Sequence, residues 1–76
     1  MATEVQTLSA LVKEIRRQLS LSQEDLARQL GVSYATVNRW ENGLSKPSRL
    51  AKAQLESFCK KMTSQGKLTL PGGGRR

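Results

Sequence analysis

With 76 residues, this chain has room for one small domain and a thin core, which argues against an enzyme built around a deep pocket. Thirteen Lys and Arg against six Asp and Glu give a net charge of +7, which favours a polyanionic partner, with nucleic acid ahead of an anionic membrane. A single cysteine excludes an intrachain disulfide, and the lack of histidine removes the usual zinc ligand and general base, so neither catalysis, metal nor cofactor is expected.

The first predicted element is a helix over residues 5 to 19. Val5, Leu8, Val12, Ile15 and Leu19 recur at alternating steps of three and four, with Leu11 beside them. Its start is signalled either by Thr3 with Gln6 or by Thr7. Leu21 belongs to the link that follows. Ser22 is a good helix cap, and Asp25 three positions on completes a capping-box pattern. The helix that follows, about Gln23–Leu30, places Leu26, Ala27 and Leu30 on one face. Gly31 stands where the chain must stop and turn, a position that usually needs positive φ.

Ser33 can cap a third helix, about Tyr34–Asn42, which Asn42-Gly43 ends. At 100° per residue, Val37, Trp40 and Leu44 point to one side. Ala35, Asn38, Arg39 and Asn42 point away, Tyr34 flanks them, and Glu41 lies near the inward edge. After a loop at Leu44–Pro47, Ser48 can cap a fourth helix with Ala51, Leu55, Phe58 and Met62 on its inner face. That helix is expected to end near Met62 or Thr63. Trp40, Phe58 and Met62 are read as core, and Cys59 as a quiet, half-buried thiol. A domain over residues 1–63 is therefore expected, with a flexible, basic, Gly-rich tail over 64–76. Leu68-Thr69-Leu70 is the one stretch of that tail able to extend and pair.

Two short helices hinged at a glycine are the outline of a helix-turn-helix, here over residues 22–43. The run SQEDLARQLGVSYATVNRWENG resembles the motif of the phage repressor/Cro (XRE) family of DNA-binding proteins. The likeness rests on SQEDLA opening the first helix, on Ala27 and Gly31 at the helix crossing, and on Val37 to Gly43. It extends more weakly to Leu11–Leu21 and Pro47–Phe58. It implies an all-α, lambda-repressor-like fold. Five helices are usual in the family, whereas only one further helix pattern follows the motif here, so four are expected and a fifth is left open.

The resemblance implies that the third helix enters a major groove, which displays a distinct donor and acceptor pattern for each base pair. Arg39 is the strongest candidate for base reading, since its planar fork can bond guanine O6 and N7 together; the alternative is a phosphate contact. Asn38 either pairs with adenine or stays in solvent. Tyr34 either meets a base or bonds a phosphate through its hydroxyl. Ala35 either touches a thymine methyl or permits close approach. Thr36, on the flank, suits phosphate contact or plain packing.

Gln23 stands at a helix start, where free amides and the helix dipole attract phosphate, and the resemblance implies that, like the matching glutamine in the family, it touches the DNA backbone and supports the third helix. Asn42, Lys46 and Arg49 correspond to family positions that meet the sugar-phosphate strand. The resemblance also implies that Glu41 pairs with an arginine on the first helix, which here is Arg16.

These features point to a sequence-specific binder of double-stranded DNA that acts as a transcriptional regulator, as a repressor first of all and as a homodimer on its site. Two alternatives share the fold. One is the DNA-targeting module of a larger restriction, modification or recombination protein. The other is an antitoxin that represses its own operon while a protein partner binds elsewhere. No apolar run reaches spanning length and the start lacks a signal-peptide core, so no membrane role and a cytoplasmic location are expected.

Overall fold

Serine side chains start three of the four helices in the computed structural model, which describes residues 4–69. The helices are α1 (Glu4–Leu19), α2 (Gln23–Leu30), α3 (Tyr34–Glu41) and α4 (Arg49–Ser64). The Ser22 hydroxyl accepts from the Asp25 amide at 2.9 Å, while the Asp25 carboxylate accepts from the Ser22 amide at 3.3 Å, closing the capping box. Ser33 accepts from the Thr36 amide and Ser48 from the Ala51 amide, each at 3.1 Å. Each bond satisfies an amide that the first helical turn leaves free, an effect worth about 1 kcal/mol per cap. Because α1 begins at Glu4, Thr7 lies inside it; a cap at Thr3, the side chain of Val5, and everything from Leu70 to Arg76 fall outside the described residues.

The inward faces meet in one core. Leu8, Val12 and Ile15 come from α1, Leu26, Ala27 and Leu30 from α2, Val37 and Trp40 from α3, and Ala51, Leu55 and Phe58 from α4. Helix α3 packs on α1 and α2, and α2 also packs on α4. This arrangement holds the short α3, eight residues long, against two neighbours along its inner side and leaves its other side to solvent. Such a helix is too short to persist alone and depends on that packing.

Three sequence expectations change. Gly31 has φ +75, and a β-carbon there would meet only the Gln54 side-chain amide, at an ordinary 3.9 Å. The positive φ expected of Gly31 is met, and it lets Val32 donate back to the Ala27 carbonyl; what changes is that Gly31 does not serve a close helix crossing, whereas Ala27 is buried in the core. Leu44 is 68 % exposed, because α3 stops at Glu41 and the helical wheel no longer applies three residues on.

The third change is at the C-terminal end. Helix α4 runs to Ser64, and Gly66 (φ +73) turns the chain back toward α1. Leu68 is then 2 % exposed in the core, and Thr69 is held at both its amide and its carbonyl by the Gln18 carboxamide, at 2.8 and 2.6 Å. The segment up to Thr69 is thus part of the folded unit, and the domain does not end at residue 63. Leu68→Ala should lower stability by about 2 kcal/mol, the lower end for a buried leucine because the non-helical segment that carries it can relax into the gap. Urea unfolding measures it, and an unchanged midpoint would mean that the strap contributes nothing.

Candidate nucleic-acid interface

Helix α3 divides its side chains by the register that its core contacts impose. Val37 and Trp40 are buried, Thr36 and Asn38 are half-buried, and Tyr34, Ala35 and Arg39 are exposed. The exposed set offers a phenol, a methyl and a guanidinium to solvent. Thr36 turns its hydroxyl onto that of Ser33, at 2.9 Å. Asn42 caps the C-terminal end of α3, Lys46 is exposed on the loop before α4, and Arg49 is exposed at the first position of α4. A cleft of about 480 Å³ opens between α3 and that loop, and brings Ala35, Thr36 and Arg39 together with Ser45, Lys46 and Ser48. It joins two expected base-reading residues, Ala35 and Arg39, to two expected backbone contacts, Thr36 and Lys46. Gln23 and Arg49 are not among its walls.

Behind this surface lies a run of polar contacts that links three helices. Glu41 is 5 % exposed, yet is fully engaged. Arg16 donates from Nε to Oε2 at 2.6 Å and from Nη2 to Oε1 at 3.1 Å, and its Nη1 donates to the Leu21 carbonyl at 3.0 Å. The Ser9 hydroxyl donates to the Glu41 backbone carbonyl at 2.6 Å. Gln23 donates from Nε2 to Glu41 Oε1 at 3.0 Å. Asn38 donates from Nδ2 to Gln23 Oε1 at 3.2 Å, and Asn42 donates from Nδ2 to Asn38 Oδ1 at 3.1 Å.

Burial on its own would push the Glu41 carboxyl up. The hydrogen bonds from Arg16 and Gln23, with the charges of Arg16 and Lys13, outweigh it and hold Glu41 below the usual glutamate range. Arg16 is raised in turn, chiefly by its bond to Glu41. The carboxylate is therefore charged at neutral pH, and α3 is tied to α1 by a bidentate pair as well as by apolar packing.

The resemblance implied that Gln23 supports α3, but its partners there, Glu41 and Asn38, were not visible in the sequence. The links join positions 18 and 15 residues apart, and depend on the angle between α2 and α3. The one local signal was a glutamine at the first position of α2, where a long polar side chain can reach across to the next helix.

Among the described residues, no helix is long and apolar enough to cross a membrane. A family model described as helix-turn-helix matches residues 12–51, more than half of the chain. No curated protein and no solved structure gives a significant match.

Proposed function

The chain belongs to the phage repressor/Cro (XRE) family of helix-turn-helix DNA-binding proteins, and from that premise we propose that it is a sequence-specific, cytoplasmic transcriptional regulator that represses by occupying its site. The observation that carries this reading is the solvent-facing side of α3, where Tyr34, Ala35 and Arg39 stand free of the core while Val37 and Trp40 lock the opposite side into it. A groove about 12 Å wide accepts such a helix. Arg39 reads a guanine, Asn38 an adenine, and Tyr34 and Ala35 supply apolar contact. Gln23, Thr36, Asn42, Lys46 and Arg49 hold the two backbones on either side. Two copies would bind half-sites about one helical turn apart, and the exposed side of α4, which carries Leu50, is the surface available between them.

Selection of bound sites from a randomised duplex pool, at stated salt, tests the reading. A defined motif is expected. Arg39→Ala should then flatten preference at one base pair, at a cost of about 1–3 kcal/mol. Lys46→Ala should instead weaken all sites alike and reduce the salt slope by about one counterion. Equal, sequence-blind losses from both variants would contradict this division of roles.

A further inference from the structure

We propose that buried Glu41 sets which way round the Asn38 carboxamide faces, acting through Gln23, and so decides the base that Asn38 prefers. This rests on the DNA-reading role of α3 just given. The argument is one of donors and acceptors. A carboxylate can only accept. Gln23 must therefore present its Nε2 to Glu41 Oε1, which leaves its Oε1 facing Asn38. Asn38 must answer with Nδ2, which leaves its Oδ1 to accept from Asn42.

Each amide in the series has its two ends assigned by the one before it, starting from a charge that Arg16 holds in place. After these bonds, Asn38 retains one N–H and one oxygen lone pair, in a fixed order in space. Adenine offers the matching order in the major groove, an acceptor at N7 and a donor at N6. A carboxamide free to turn end for end would meet either order and discriminate poorly. Glu41 and Gln23 are thus positioning residues for base recognition.

The proposal separates the charge type of Glu41 from its bracing of α3. Glu41→Gln keeps the shape but adds a donor, so Gln23 and Asn38 can reverse. Arg16→Lys weakens the brace but leaves an acceptor-only carboxylate. The experiment is selection from a randomised duplex pool, read at the base pair whose preference Asn38→Ala flattens. Wild type should prefer adenine there by roughly tenfold. Glu41→Gln should lose that preference while keeping preference at the position Arg39 reads, and Arg16→Lys should keep both.

In the free protein, the Asn38 side-chain amide resonances should move in Glu41→Gln and stay in Arg16→Lys. Should Glu41→Gln fail to fold, Gln23→Met cuts the series with the ion pair intact and should flatten the same base pair. Retained preference in Glu41→Gln, or in Gln23→Met, overturns the proposal. So does equal flattening by Arg16→Lys, which would mean bracing alone, or an Asn38→Ala variant that flattens no position. If wild type selects no motif, the reading of function itself fails and this inference falls with it.

Discussion

Trp40→Ala should leave the chain largely unfolded in dilute buffer at room temperature. Truncating a buried tryptophan costs about 3–5 kcal/mol. A chain of 76 residues has a total stability of about 4–11 kcal/mol at typical values per residue, so the loss takes about a quarter of it at the upper end and all of it at the lower end, where a core this thin places the chain. The side chain is 1 % exposed and is the largest fully buried one in the core. It lies on the eight-residue α3, which has no means of persisting without its inward face.

The variant should show weak helical circular dichroism and a urea midpoint near zero, and Trp40→Phe should recover most of the signal. DNA binding would vanish at every sequence together, unlike the single-position effect of Arg39→Ala. Coincident urea curves for Trp40→Ala and wild type would remove the indole from its assigned place in the core.

Arg16→Ala is expected to cost about 3 kcal/mol at neutral pH, the lower end for breaking a buried pair, because Arg16 itself is 27 % exposed. The cost arises from Glu41, left nearly buried with Gln23 as its remaining side-chain donor. The pH dependence identifies the cause. In wild type the folded-state carboxyl titrates below its ordinary value of 4.5, so its contribution is complete above that value and is lost as pH falls through the depressed one.

Without Arg16, burial dominates and raises the Glu41 carboxyl, which favours its neutral form. The deficit of Arg16→Ala relative to wild type should therefore be largest near pH 7 and shrink on acidification, as both proteins come to carry a neutral Glu41. Urea titrations at pH 7 and pH 3 give the comparison. A deficit that is constant with pH would assign the loss to the Arg16–Leu21 contact and to packing by the arginine stem.

The four helices and their boundaries could be read almost to the residue. Ser22, Ser33 and Ser48 announce helix starts by chemistry that acts within three residues, and the spacing of Leu8, Val12 and Ile15 repeats within a single turn. Arg16 as the partner of Glu41 came from the family likeness, since no periodicity links residues 25 apart. Leu44 was misplaced because a wheel assumes that the helix continues, and Leu68 was assigned to the tail because the three residues Leu68-Thr69-Leu70 are too few to show what they pack against.

The chain alone determined its helical class, its helix starts and stops, and the division of α3 into a buried and a solvent-facing side, because each depends on neighbours within one or two turns. Only the tertiary structure decided that Leu68 closes the core, and that Glu41, Gln23, Asn38 and Asn42 stand in one hydrogen-bonded series. The series follows from how α1, α2 and α3 cross, and the burial of Leu68 from the turn at Gly66 that returns the chain to α1; both are set by the packing of the whole core rather than by any local run of residues.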